Sequence, residues 1–567
     1  MKKIVLSIVA IALIVGIAIA VFMRGSESEQ KQKLQPIEDP VFVYLNLDQL
    51  ITKGAFDKFI TPENRSLVAT VLSSHFDATI DAEHLKSVIT NIDAIGLDTY
   101  SPICCYLNDS LTDIVVVANI ANAEQMDRSV ALLSYILEQD GNEVIEVSCC
   151  DDMRTFEYEG ICVAYNTSAF TLAFGESEDV LGIAIDAVNR PQMDMSVFGA
   201  SDMAVMVNVD KCIQLANAKM DDAMLELTAM YNAGEIDHDI YNAQMEAYAE
   251  TEALVDSYAS YFATGSNIIL STTFDMGRMT FAYSSKGVIG LKELDGINKS
   301  VGQEHLSSLS KDCLAVLRTG VDGTLLAQRV RDFVNGDMLE NWGITPTNEV
   351  NMAISIACDA LSTINGDVTI ALDSIDGEIK SKYNYYWDEY YVEPVIDSVN
   401  AILMADVTDK YIISNVAQFA GGFINKVDAT HYTLKLKNYN FSMGQDEGLF
   451  HLGVNMTPQS QTPSALEAEW TKDVDGALSY LVLNVDALMA SRFMQSTNKY
   501  VASQLQEEYR ELYRNATELV SYVYVSSDSY ESSEFVVVFD NKEINALEQI
   551  NSLVLPALVR ECIKSLY

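Results

Sequence analysis

Proton-transfer chemistry in this chain would have to come from six histidines, His75, His84, His238, His305, His431 and His451, and they are scattered. One tight imidazole–carboxylate cluster, the arrangement that a metal ion or a proton relay requires, occurs at Asp237-His238-Asp239. It lies in an acidic, alanine-rich stretch that reads as helix, where a solvated face accounts for it. Asp81 to His84 ("DAEH") reads as a helix start capped by Asp81. The chain has no G-x-S-x-G elbow, no H-E-x-x-H, no P-loop, no G-x-G-x-x-G and no EF-hand loop. With 81 Asp and Glu residues, no carboxylate pair stands out for glycoside-type hydrolysis. The sequence therefore assigns no catalytic residue, no metal ligand and no cofactor. Its one concentration of recognition chemistry is "SKYNYYWDEYYVEP", Ser381 to Pro394. Tyr383, Tyr385, Tyr386, Trp387, Tyr390 and Tyr391 offer apolar area with polar handles, the chemistry of a protein or glycan contact. On a continuous strand Tyr383, Tyr385, Trp387 and Tyr391 would share one face, and Tyr386 and Tyr390 the other.

The elements that must carry these rings begin with the N-terminus. Lys2 and Lys3 precede the apolar run Ile4 to Met23, which Arg24 closes. Such a run spans about 30 Å, the thickness of the hydrocarbon core. Positive charge before it favours a cytoplasmic N-terminus and an exported remainder. The expectation is a single membrane anchor over residues 1–23 and a polar tether over 24–38, in the inner membrane of a bacterial envelope. The alternative is cleavage after Ala18-Ile19-Ala20 and release. The net charge of −45 repels phosphate backbones and excludes nucleic acid as a partner class. Nine cysteines is an odd number, and no C-x-x-C occurs; free, mostly buried thiols are expected. Cys104-Cys105 and Cys149-Cys150 are adjacent pairs whose members should face opposite sides of a strand.

At 567 residues the chain needs more than one core. An apolar run ending in Asn-apolar-Asp recurs as "VYLNLDQL" (Val43–Leu50), "VMVNVDKC" (Val205–Cys212) and "YLVLNVDAL" (Tyr480–Leu488). A degraded form, "VLRTGVDGTLL" (Val316–Leu326), has Gly320 in the asparagine slot. The slots at 46, 208, 320 and 484 are spaced long, short, long, which is what a duplication leaves behind. "IGLD" (Ile95–Asp98) returns as "IALD" (Ile370–Asp373), 275 residues on, and "VVVANIANAEQMDRSVALL" (Val115–Leu133) resembles "ILMADVTDKYIISNVAQF" (Ile402–Phe419), 287 on. The expected fold is α+β and internally duplicated, with mostly antiparallel sheets, packed helices and one N-terminal transmembrane helix. Its halves run over 39–296 (subunits 39–200 and 201–296) and 305–567 (subunits 305–470 and 471–567). Each apolar run is expected as a strand buried on both faces, and Asp48, Asp210, Asp322 and Asp486 as caps of the helices that follow. Lys211 to Phe262 reads as a long helical hairpin broken near Ala233-Gly234, and "DMGR" (Asp275–Arg278) as a strand turn.

The opening "DPVFVYLNLDQLITKGAF", "IGLDTYSPICCYL" with "DIVVVANIANAEQM", and "INGDVTIALDSIDG" resemble an uncharacterised family of exported Bacteroidales envelope proteins. The resemblance implies an envelope location and a repeated architecture and carries over no catalytic residue. This chain lacks the acylated cysteine of lipoprotein relatives, since its first cysteine is Cys104. In the first half three residues separate Asp98 from Pro102; in the second, twenty separate Asp373 from Pro394. The aromatic stretch thus reads as an insertion between equivalent strands. The expectation is a tethered, non-enzymatic binding or scaffold protein, with a hydrolase using an unrecognised carboxylate site as the alternative.

Overall fold

The computed structural model describes residues 35–66, 82–109, 111–141, 147–150, 152–158, 160–175, 177–191, 193–289, 296–299, 301–335, 347–384, 386, 389–408 and 424–566. The expected anchor and most of the tether lie outside them, and no helix among the described residues is long and apolar enough to cross a membrane. The protein is α+β with antiparallel sheet and forms two compact units. One comprises Met1–Gly290 with Lys542–Tyr567, the other Leu291–Asn541. The C-terminal segment that the sequence assigned to the second half therefore belongs to the first unit.

The first unit contains β1 (Val41–Leu45), α1 (Leu47–Gly54), α2 (Ala82–Thr90), β2 (Ile103–Leu107), β3 (Ile114–Asn119) and α3 (Ala123–Gly141). Then follow β4 (Ser148–Cys150), β5 (Met153–Tyr158), β6 (Ile161–Tyr165), β7 (Ala169–Phe174), α4 (Val180–Val188) and β8 (Met203–Asn208). The helical hairpin α5 (Val209–Ala233) and α6 (His238–Ala259) leads to β9 (Phe262–Asp275) and β10 (Arg278–Val288). Left-handed Gly234 ends α5, and Gly277, also at positive φ, turns β9 into β10. The strand order is β4-β5-β6-β7-β3-β2-β1-β8-β9-β10, antiparallel throughout. Phe42, Tyr44, Tyr106 and Val115 pack on one side with Ala184 and Val188 of α4. Met126 and Val130 of α3 cover Phe156, Val163 and Tyr165 on the other.

The second unit contains β11 (Ala315–Asp322), α7 (Gly323–Asn335), α8 (Asn348–Leu361), β12 (Ile364–Asn384), β13 (Glu389–Val407), β14 (Asn425–Lys426), β15 (His431–Leu436), β16 (Tyr439–Asp446) and β17 (Leu449–Val454). These lead to β18 (Ser479–Asn484), α9 (Val485–Ala490), α10 (Arg492–Gln504), α11 (Glu507–Thr517), β19 (Val520–Ser529) and β20 (Ser532–Phe539). Its order is β14-β15-β16-β17-β13-β12-β11-β18-β19-β20, again antiparallel throughout and the same as that of the first unit. Leu306, Leu309, Val316, Ile402, Met404, Trp470, Tyr524 and Val536 form its core. The final helix α12 (Ala546–Leu566) packs in the first unit, where Asn551 donates to the Gly54 carbonyl at 2.8 Å and Glu548 pairs with Lys58 at 2.6 Å. That bond satisfies one carbonyl left open at the end of α1.

Two expectations need correcting. The central strands are not uniformly buried on both faces: β1 buries Phe42 and Tyr44 and leaves Val41, Val43 and Leu45 half-buried. The caps are mostly the asparagines. Asn46, Asn208 and Asn484 accept the amides of Gln49, Lys211 and Ala487 at 3.2, 3.1 and 3.1 Å. A cap needs extended backbone, which the last strand residue still has (Asn46, φ −84° and ψ 90°). Asp48, Asp210 and Asp486 fall two residues too late, in the first helical turn, where the helix dipole favours their charge. Asp210 also accepts the Gly265 amide at 2.9 Å. Asp322 does cap, accepting from Thr324 and Leu325 at 3.1 and 3.2 Å, because Gly320 empties the asparagine slot and β11 runs on to the aspartate. Asn46→Ala should therefore lower stability by about 1 kcal/mol in urea unfolding, and Asp48→Ala by about 0.5 kcal/mol. A larger loss from Asp48→Ala would reverse the assignment.

Candidate functional site

Shared strand order lets the two units be compared residue by residue, since residues directly opposite in a ladder share a face. Val43 stands opposite Cys105 and Val205; Leu317 stands opposite Ile370 and Leu481. Cys105, not Ile95, is thus the counterpart of Ile370, and the "IGLD"/"IALD" echo joins residues of different place: Leu97 precedes β2 and bridges to Ile120. The echo from Val115 to Ile402 does match in register, because Cys105 faces Val116 and Ile370 faces Leu403. These partners are 11 residues apart in the first unit (105 to 116) and 33 in the second (370 to 403), so the β12–β13 hairpin is longer by 22 residues.

The added residues form a two-stranded arm. Pairing of β12 with β11 stops at Leu372, while β12 and β13 stay paired to Asn384 and Glu389. Twelve residues beyond the sheet give about 40 Å of ribbon. Register shifts at Leu372/Ser374 and Asp376/Gly377 bend its base. There α10 crosses it: the Phe493 ring lies within 3.3 Å of where a Cβ at Gly377 would be, Ser496 Oγ accepts the Ile379 amide at 2.8 Å, and Arg492 stands 3.5–3.6 Å from Asp376, Glu378 and Asp397. Farther out, Ile379, Ser381 and Tyr383 share a face with Pro394 and Val392, their cross-strand partners or neighbours, and with Ile396. The opposite face carries Glu378–Lys380 at 2.9 Å and Lys382–Glu393 at 2.7 Å. Glu393 raises the Lys382 ammonium, and Lys380 with Arg492 holds the Glu378 carboxyl low.

The expected division of rings between faces fails because the chain turns at Tyr386. Tyr390 pairs with Tyr383, and Tyr391 pairs with Lys382 on the other face. Tyr386 is 97% exposed at the tip, Tyr383 36% and Tyr391 43%; Val392 and Ile396 on the apolar face are 39% and 45% exposed. Tyr385 and Trp387 lie outside the described residues.

A second departure runs across the sheet. In the second unit one continuous row reads His431, Gly444, His451, Met404, Thr369, Arg318, Tyr480, Ser526, Glu534. The matching row of the first unit is Thr155, Ala164, Thr171, Val117, Cys104, Tyr44, Ala204, Ser271, Ala282. Arg318 is fully buried and ion-paired with Asp367, and donates to the Tyr480 hydroxyl at 3.3 Å. Asp367 also accepts the Gly302 amide at 2.8 Å and donates its own to Asp406 at 2.9 Å. Asp406 accepts from His305 Nε2 at 3.2 Å, and His305 Nδ1 meets the Thr369 hydroxyl at 2.8 Å. Burial alone would raise the Asp406 carboxyl; the His305 and Asp367 hydrogen bonds and the Arg318 charge hold it below the usual range. Thr369, His305 and Asp406 have the order of a hydroxyl–imidazole–carboxylate triad, but Thr369 is fully buried, so its oxygen meets no solvent-borne substrate. This is a structural network around a buried cation.

The first unit has its own departure, a depression of about 560 Å³ lined by Asp39, Tyr106, Asp109, Asp186, Arg190 and Lys211. Arg190 binds Asp39 bidentately at 2.9 and 2.8 Å and lies 4.5 Å from the centre of the Tyr106 ring; Lys211 pairs with Asp109 at 3.2 Å. Burial raises the Asp39 carboxyl despite its partner. Burial also pushes the Cys104 and Cys313 thiols up to about 12, which makes them inert. Asp237 caps α6 through the Ile240 amide at 2.8 Å, and His238 is exposed. Among the described residues no group of three or more His, Cys, Asp or Glu side chains is placed to hold a metal ion. Comparison with protein-family models, curated proteins and solved structures finds no match for the chain.

Sequence reasoning did not single out Arg318, Asp367 or Asp406. The signal was an arginine inside an otherwise apolar central run, "AVLRTGV". Arg318→Met leaves Asp367 buried without its cation and should cost about 3–5 kcal/mol in urea unfolding. Adding Asp367→Asn should recover most of it; a double variant no more stable than the single would show that the ion pair is not the source.

Proposed function

We propose that the protein is an internally duplicated, membrane-tethered and exported envelope protein that binds a protein partner through the arm of its second unit. Lys2, Lys3 and the apolar run Ile4–Met23 support the tether and its orientation, and the resemblance to exported envelope proteins points to the same location. The observation that carries the binding role is the 22-residue extension of one hairpin in a unit whose counterpart keeps the same strand order without it. The extension exposes an apolar face, with Val392 and Ile396 open to solvent, and among the described residues Phe493 packs at its base.

The composition of that face favours a protein over a glycan. Val392, Pro394 and Ile396 continue it beyond the tyrosines, and aliphatic side chains give a sugar ring no stacking platform. The edges argue against recognition by strand addition. Ile379 gives its outward amide to Ser496, and Pro394, directly opposite, has no amide to give. The face, not the backbone, is the contact. The net charge of −45 steers a basic partner, so association should slow as salt is raised.

A photo-crosslinking residue at Val392 or Ile396 of the full chain in native membranes should give a protease-sensitive adduct, whereas one at Lys380 should give none. An adduct destroyed by glycosidase instead would indicate a glycan, and equal crosslinking from both faces would remove the apolar face as the contact. Replacing residues 378–396 by a two-residue turn should abolish the adduct and leave the unfolding free energy within the range of surface changes, about 0.5 kcal/mol.

A further inference from the structure

His431, Gly444 and His451 occupy one row on three adjacent strands, β15, β16 and β17. A side chain at 444 would overlap both imidazoles, so glycine is what lets the rings meet, with centroids 6.0 Å apart. The groups that face His431 come from every neighbouring element. Asp428, in the β14–β15 turn, lies 3.0 and 3.1 Å from Nδ1, with the Thr430 hydroxyl at 3.2 Å. Asp446, at the end of β16, lies 3.1 Å from Nε2. His451 of β17 is 3% exposed and its Nδ1 has no partner. An ionised carboxylate only accepts hydrogen bonds, so a ring held between two of them must donate from both nitrogens and is an imidazolium. The like charge beside it and burial both favour a neutral His451. The matching positions of the first unit are Thr155, Ala164 and Thr171, so the strand plan does not require the cluster.

We infer that His431 is a proton-operated latch, which in its charged form fastens the β14–β15 turn to the end of β16 and secures that edge of the second sheet. Loss of one ring proton removes the donor to one carboxylate and leaves Asp428 and Asp446 facing each other across a neutral ring. Burial lowers the affinity of His431 for its proton, but the two carboxylates outweigh it and raise it above the ordinary value near 6.5. A group whose folded affinity is raised stabilises fully below its unfolded value, and the contribution disappears as pH climbs through the folded value. The latch is therefore closed in acid and opens toward alkaline pH.

The test is hydrogen–deuterium exchange of the full chain across pH 5.5 to 9, comparing wild type with His431→Gln at each pH so that the intrinsic exchange rate cancels. Below pH 6.5 peptides covering β15 and β16 should exchange several-fold faster in the variant, and the difference should vanish at the alkaline end. Peptides from β11 and β12 should match throughout. Asp446→Asn and Asp428→Asn should each move the crossover to lower pH. A difference constant with pH would mean that the ring acts only by packing, and no difference in acid would mean that no latch exists. Either result overturns the inference.

Discussion

The second unit is arranged around one constraint, the full charge of Arg318 at the centre of its sheet. Removing a guanidinium from water costs several kcal/mol unless it is paired and its partner is itself satisfied. Asp367 supplies the pair, and the partners of Asp367 bring in the rest. The Gly302 amide ties down the segment before β11, and Asp406 receives the Asp367 amide on one oxygen and His305 on the other. Tyr480 closes the network from β18. In the first unit the same central positions are Tyr44 and Cys104, which need no such apparatus. The difference shows that the strand plan tolerates either solution, and that the polar one entails contributions from five separate segments.

The two units also extend different hairpins of that plan. In the first, the connection between β8 and β9 is the long acidic pair α5 and α6, while β2 and β3 are short. In the second, the β18–β19 connection shrinks to three short helices, and the β12–β13 hairpin grows into the arm. The changes are coupled in space. The shortened connection leaves α10 free to cross the base of the arm, where Phe493 occupies the space above Gly377 and Ser496 takes the Ile379 amide. A bare two-stranded ribbon is marginal in water, so a supporting helix at its root is what makes such a length of it tenable.

Much of this plan was legible in the sequence, because it rests on local chemistry. The Asn-apolar-Asp runs marked the strand-to-helix junctions, and their spacing marked the repetition. Which residue caps was misjudged by two positions, since that depends on where extended backbone ends. The insertion was legible as an interruption, though one of the two echoes used to locate it joins unrelated places. What local pattern does not contain is register. Twelve residues separate His431 from Gly444 and six separate Gly444 from His451, and only ladder pairing sets them in one row. The same limit hid the destination of α12, because an amphipathic helix does not specify which sheet edge or helix it will cover.

The arm sets two demands against each other. An exposed ribbon with an apolar face is a template for aggregation through its edges and its face alike. Its edges are blunted by Pro394, by the lysine–glutamate pairs and by the Ser496 hydrogen bond, and the charge of −45 keeps copies of the chain apart. The edges near the root are thus guarded, yet the face formed by Tyr383, Val392 and Ile396 remains exposed where serine or threonine would be compatible with the same ladder. The second unit protects the backbone of the arm and leaves its apolar side chains open, which is the combination expected of a surface that must meet another protein without recruiting its own kind.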